Sequence, residues 1–453
     1  MRAPLLALLA LLFGLEACSS VSETAGRINP FDGGDEDDDA DAPDRERRVS
    51  FLTFDETLQV DETRAAIGVT LPAAYVNASW PQEGGFASHA VEHPAANADL
   101  SRAWRRNVGE GSGRKSRVAA PPVIADGRIF VVDGEGEINA YSETDGDRLW
   151  RSRLRSGERR DREFRSGGVA YGDGRVYVAM GFGAVAALDA ITGDEIWRTE
   201  TSGPMHAPPS FDGGRVFAVS FDNELFALDA VAGDILWTYQ SLSEPARILT
   251  ASSPAVAGEL VIAPFASGEL TALRVDNGRV QWSDALTRSA GTTALSSLND
   301  IAGSPVVVDD VVYAMSHSGT LAAFDLRTGQ RLWSEPAGGI HMPWIAGDFI
   351  FVMTNDAQLA CVSRIDGATV WLTELPQYRR PERRRGRIAW AGPVLAGGRL
   401  LLASSEGDMV SVSATTGEIE DEHRIGDDVF IPPIVANETV YVLTDEATLV
   451  AYR

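Results

Sequence analysis

From about residue 98 to the end of the chain, short apolar runs recur in a fixed order. The clearest opening unit is Val123-Ile124-Ala125-Asp126-Gly127-Arg128-Ile129-Phe130-Val131-Val132, two apolar runs around an Asp-Gly pair. This pattern predicts a tight hairpin, because Asp and Gly supply the positive φ or local side-chain bonding that such turns need. Related units stand at 169–180, 209–220, 254–265, 305–316, 344–354, 393–404 and 434–444, which makes eight copies. A further run with alternating apolar positions follows each one. The example Gly183-Ala184-Val185-Ala186-Ala187-Leu188-Asp189 has counterparts at 136–142, 223–229, 268–274, 319–325, 357–363, 407–413 and 447–453. These are third strands.

In most copies a glycine turn then leads, four residues on, to tryptophan: Gly146 to Trp150, Gly193 to Trp197, Gly233 to Trp237, Gly278 to Trp282, Gly329 to Trp333 and Gly367 to Trp371. In the seventh copy Gly417 leads to Asp421 instead. The tryptophans are spaced by 47, 40, 45, 51 and 38 residues. Four strands per period of about 40–50 residues mark a propeller blade. The prediction is therefore an all-β chain: an eight-bladed β-propeller of four-stranded antiparallel blades over residues 98–453. The eighth copy stops at Arg453, after its third strand. Leu100–Val108 carries Trp104, one period before Trp150, and is expected to supply the missing outer strand. Such closure removes an open sheet edge. Trp104, Trp150, Trp197, Trp237, Trp282, Trp333 and Trp371 are expected to fill the spaces between blades, where an indole buries much apolar area. Asp189, Asp229 and Asp325 are read as turn caps.

The N-terminal part has a different texture. Arg2 precedes the apolar run Leu5–Leu15, which is too short for a membrane helix of roughly 20 residues and suits a secretory signal. The run ends in Leu15-Glu16-Ala17-Cys18-Ser19-Ser20, which resembles the lipobox of bacterial lipoproteins and makes Cys18 the expected lipid-attachment residue after a signal peptide at 1–17. Ser19 after that cysteine suggests the outer membrane. Residues 18–48 hold ten acids and four bases and read as a disordered acidic tether. Residues 49–97 show no clean period and are expected to be extended segments that run to, or lie along, the main domain.

Charge and chemistry narrow the function. The formal net charge of −25 argues against general nucleic-acid binding. Two cysteines cannot form a disulfide framework. None of the six histidines stands in a recognised zinc spacing, and Pro94 argues against a helix that would align His89 with His93. His206 and His341 read as satisfied loop histidines, and Cys361 as a small buried hydrophobe. Walker, dinucleotide and nucleophile-elbow motifs are absent. The expectation is a non-enzymatic protein with no metal, no catalytic residue and no cofactor.

The non-repeated material lies mainly in the links from each tryptophan strand to the next blade, which in a propeller share one face. Arg151–Arg165 has seven arginines against three acids, and Arg379–Arg387 has six against one. Arg159, Arg160, Arg383, Arg384 and Arg385 form a candidate basic rim, suited to an acidic protein surface or to lipid phosphates. The links 238–253 and 283–303 carry Ile248, Leu249, Leu295, Leu298 and Ile301, read as exposed.

Several segments, notably Ile301–Val308 and Gly319–Gln330, together with the lipobox and the eight repeats, resemble the BamB family of outer-membrane assembly lipoproteins. The Gly-to-Trp motif is shared with quinoprotein dehydrogenases. Those enzymes are longer and often carry a vicinal Cys pair, which this chain lacks. A general periplasmic protein-binding propeller with another partner is the second alternative. The resemblance implies a monomeric, lipid-anchored subunit of the Bam complex on the periplasmic face of the outer membrane. It would dock on the POTRA domains of BamA and support folding and insertion of barrel proteins. By position it implies partner contacts at Arg247, Ile248 and Leu249 and at Asp300. The order of Arg and apolar residues differs from the family arrangement in the first segment, and Ala302 replaces the family's second acid in the other.

Overall fold

The computed structural model describes residues 57–113, 117–154, 167–205, 207–242, 252–287 and 299–453. In the first repeat, Val123–Ala125 pairs with Arg128–Val132, that strand with Ile138–Ser142, and that with Arg148–Ser152. Asp126 and Gly127 take φ of 50° and 71°, the positive values a tight hairpin needs. The same a-b-c-d order recurs, giving eight four-stranded antiparallel sheets. The last blade is closed as expected. Its outer strand is Arg102–Asn107, which pairs antiparallel with Thr448–Tyr452. The antiparallel order divides the loops by face: a–b and c–d turns lie on one side, b–c turns and d–a links on the other.

The Gly-to-Trp motif acts between blades. A β-carbon added to Gly193, Gly233, Gly278, Gly329 or Gly417 would lie 2.6–2.7 Å from the indole of Trp150, Trp197, Trp237, Trp282 or Trp371, the tryptophan of the preceding blade. Only glycine leaves room for that ring, and each of these glycines also has positive φ. The indole N–H then donates to a carbonyl just past the next blade's third strand. Trp150 donates to Ala190 (3.0 Å), Trp197 to Ala230 (3.1 Å), Trp237 to Val275 (3.0 Å), Trp282 to Leu326 (2.7 Å), Trp333 to Arg364 (2.9 Å) and Trp371 to Ala414 (3.2 Å). Within its own blade each tryptophan stands opposite a small residue: Ala140, Ala187, Ala227, Ala272, Ala323 and Cys361. Cys361 is thus the small hydrophobe expected, and burial pushes its thiol pKa up.

This interlock explains the missing seventh tryptophan. Asp421 stands opposite Ser411 in the same register. The eighth blade has no c–d turn, because its outer strand comes from the other end of the domain. No turn glycine waits there for an indole. The aspartate caps also form as expected. Asp189 Oδ1 accepts from the N–H groups of Ile191 and Thr192, Asp229 from Val231 and Ala232, and Asp325 from Arg327 and Thr328.

The segment before residue 98 does more than lie along the ring. Residues from Glu56 onward form one compact unit. A short helix Glu62–Ile67, not anticipated from the pattern, is capped by Asp61 and held against blade 6 through Arg64 and Asp366. The chain then passes over the a–b face and meets the inner strands in turn. Trp80 exchanges two backbone hydrogen bonds with Ile124 of blade 1. The Pro81 carbonyl accepts from Tyr171 of blade 2, and Gln82 Oε1 from Phe211 of blade 3. The Ala87 and Ser88 carbonyls accept from Val256 and Val307 of blades 4 and 5. Glu92 accepts from the Trp344 indole of blade 6, and Pro94 from Gly397 of blade 7. Inner strands are sheet edges facing the channel, and their N–H groups need partners once buried. This strap supplies them.

Replacing Trp197 with alanine is expected to cost about 3–5 kcal/mol in urea unfolding, as an emptied space between two blades. Asp421→Ala is expected to stay within about 0.5 kcal/mol. Equal losses at the two positions would contradict the interlock.

Candidate docking face and axial cavity

The long links fall on the d–a face, and the structure places only part of the expected site. Cys18, Arg159, Arg160, Arg247, Ile248 and Leu249 lie outside the described residues, as do His206, Leu295 and Leu298. Asp300 is described and is buried, at 5% exposure; its carbonyl accepts from the His317 N–H at 2.9 Å. Ile301 corrects an expectation. Its place in a long link predicts exposure, but it is 3% exposed, packed with Trp282, Leu286 and Val312 in the core between blades 4 and 5. The spacing to Pro305 fixes why: Ile301 already belongs to the entry of the next inner strand.

The second arginine cluster forms a hairpin rather than an open loop. Tyr378–Arg380 pairs with Arg385–Arg387 around a turn at Pro381–Arg383. Arg384 takes the left-handed φ of 45° that reverses the chain. Two arginines fix the base: Arg379 grips both oxygens of Glu406 (2.6 and 2.7 Å), and Arg387 donates to the Asn355 carbonyl. Arg380, Arg383, Arg384 and Arg385 are exposed, with no side-chain partner among the described residues. One half of the candidate basic rim thus lies on a hairpin fixed at its base.

At the ring axis the d–a links surround a cavity of about 290 Å³. Its floor comes from the strap, through Trp80, Glu83 and Gly84. Six of the ten tryptophans make the full blade interlock and Trp104 packs over Gly146 without the hydrogen bond; the other three, Trp80, Trp344 and Trp390, all line this cavity. That departure from the repeat was the signal in the sequence for a second site. Trp80 and Trp344 are stacked, with centroids 6.2 Å apart. Trp344 and Trp390 each donate their N–H to a carbonyl, of Glu92 and Pro376, which holds both rings. The Trp80 Nε1 is buried without a partner.

Glu83 is the acid of this site. Ser253 Oγ donates to it at 2.5 Å and Ser304 Oγ at 3.2 Å. Burial outweighs those two bonds and pushes its pKa up to about 7. Burial also lowers His341, which hydrogen-bonds the Trp390 backbone, to about 4, so its imidazole is neutral near pH 7. His89, on the strap, is lowered to about 4 in the same way, with Nδ1 bonded to the Pro305 carbonyl at 2.7 Å. His93 makes two bonds of its own, from Nδ1 to the Pro72 carbonyl and from the Gly398 N–H to Nε2. Neither strap histidine is on a helix, and among the described residues no cluster of His, Cys, Asp and Glu could hold a metal ion.

Comparison with known proteins decides the family. The model of the family described as "Outer membrane protein assembly factor BamB" matches residues 98–166, 138–373 and 380–453. The chain belongs to the BamB family. The BamB of Salmonella typhimurium is 30% identical over 355 residues, covering 77% of this chain and 87% of that protein. The crystal structure of BamB from Moraxella catarrhalis is similar with a TM-score of 0.66 at 21% identity, covering 78% of this chain and 99% of that one. A europium-containing methanol dehydrogenase reaches a TM-score of 0.67 at 14% identity, over 81% and 90% of the two chains, a likeness of fold alone. BamB proteins carry the name of outer membrane protein assembly factors, and this chain stands with them by family, while its likeness to the dehydrogenases is one of fold.

The raised pKa of Glu83 makes a pH prediction. Between about pH 4.5 and 7 the unfolded chain releases this proton and the folded chain keeps it, so stability falls as pH rises through that window. The full effect is up to about 3 kcal/mol, at about 1.4 kcal/mol per unit. Glu83→Gln is expected to stabilise the protein at pH 8 and much less at pH 5, read by chemical denaturation. Equal effects at both values would contradict the assignment.

Proposed function

We propose that this chain is a non-enzymatic docking subunit of the outer-membrane β-barrel assembly complex, binding the POTRA domains of BamA with its d–a face. One observation carries the reading: family membership extends across the whole ring, while the segments that depart from the bare repeat are d–a links. The strap supports it from the other side, because it occupies the a–b face and leaves the d–a face to a partner. Attachment of lipid at Cys18 would hold the chain on the periplasmic face of the outer membrane, with 18–48 as a spacer. It would work as a monomeric subunit of a hetero-complex and support folding and insertion of barrel proteins.

Arg247, Ile248 and Leu249 supply the apolar anchor with a flanking charge, the composition that concentrates binding energy at interfaces. Asp300, buried at the foot of the second link, acts by shaping that link. Arg159, Arg160, Arg383, Arg384 and Arg385 form a basic rim on a chain of net charge −25 and steer an acidic partner surface to this face.

The test is a crosslinked pull-down of the tagged chain from envelope membranes. BamA is expected among the captured proteins. Changing Ile248 and Leu249 together to Asp is expected to reduce that capture at least about tenfold, as the loss of an anchor worth about 1.4 kcal/mol or more. The melting temperature is expected to stay unchanged. Capture without BamA, under conditions that preserve the complex, contradicts the proposal. A collapsed melting temperature would place those residues in the core.

A further inference from the structure

The axial cavity has a composition that docking does not call for. Its apolar body is built from three indoles that the blade interlock does not use. Its floor holds a carboxyl group deep in the ring, with no cation bonded to it among the described residues and part of its surface accessible on the cavity it lines. A buried acid is stable only when its charge is neutralised or compensated. The serine hydroxyls hold Glu83 in place but bring no charge. Among the described residues the facing groups do not supply it either. His341 is neutral, His89 packs beneath Gly84 and is neutral, and Arg117 stands exposed at the mouth. An indole face attracts a cation, and several indoles around a void form an aromatic cage.

We propose that this cavity binds a small organic ammonium compound with a planar apolar body. Its ammonium group meets Glu83, and its body lies among Trp80, Trp344 and Trp390. The volume of about 290 Å³ is near the lower end of small-molecule sites. A matched anion is disfavoured, because it would bring a second negative charge to Glu83. The strap, which supplies the floor, precedes residue 98, where the match to the family model begins, while the walls come from links of the matched ring.

The test uses the folded chain and three probes: tryptamine, indole-3-acetate and choline, followed by calorimetry and tryptophan fluorescence. Tryptamine is expected to bind, choline more weakly, and indole-3-acetate at least about tenfold more weakly than tryptamine, the ratio a single charge contact of about 1.4 kcal/mol gives. Tryptamine affinity is expected to rise between pH 5.5 and 8, as Glu83 ionises. Glu83→Gln is expected to remove that pH dependence and weaken tryptamine about tenfold or more. Three results overturn the proposal: no binding of either amine at 10-millimolar order (~10 mM), a filled-by-water cavity; equal or tighter binding of indole-3-acetate; or affinity for tryptamine untouched by Glu83→Gln in a protein that melts normally. The comparison of amine with anion needs no variant, so it decides even where the substitution disturbs folding.

Discussion

One contact repeats around this molecule: a tryptophan of one blade lies over the turn glycine of the next and donates its N–H to a carbonyl beside that turn. A single blade cannot bury both of its faces, so the ring depends on how blades are joined. The indole provides apolar area, the missing β-carbon provides room, and the hydrogen bond fixes the ring's orientation. The position opposite each tryptophan must be small, which accounts for the run of alanines and for Cys361. The chain omits the indole where no turn glycine follows, at Asp421. The closing strand Arg102–Asn107 joins the two ends of the domain instead.

The strap answers a second requirement. Eight inner strands leave eight rows of backbone groups facing a channel. Residues 80–94 meet seven of the blades in sequence, mostly through main-chain bonds, and the Asn437 N–H of blade 8 donates to the Asn77 carbonyl. One face is thereby occupied by the chain itself. The other keeps the long links, the arginine hairpin and the axial cavity. The strap thereby makes the two faces of the ring unlike, which suits the proposed docking role.

The ring was legible because its determinants are local and repeated. Turn glycines, alternating strands and the tryptophan spacing carry blade number, strand order and closure, and even the aspartate caps. The strap was not legible, since its residues recognise backbone groups and so need no apolar period; only six residues of it are helical. The cavity was hidden for another reason. It is assembled from links far apart in sequence, so Glu83, Trp344 and Trp390 become neighbours only once the ring closes. Ile301 departs from expectation because the end of a long link and the entry to an inner strand look alike in composition.

The strap covers the a–b face of the ring, and the proposed docking surface is the opposite, d–a face. Hydrogen exchange, measured on the chain alone and in complex with the proposed partner, tests this arrangement most directly. In the free chain the amides of Ile124, Tyr171, Phe211, Val256 and Val307, which bond the strap, are expected to exchange as slowly as the blade core. Complex formation is expected to add protection on the d–a links and leave those amides and the a–b turns unchanged. Rapid exchange at the strap contacts, or new protection on the a–b face, would contradict the account.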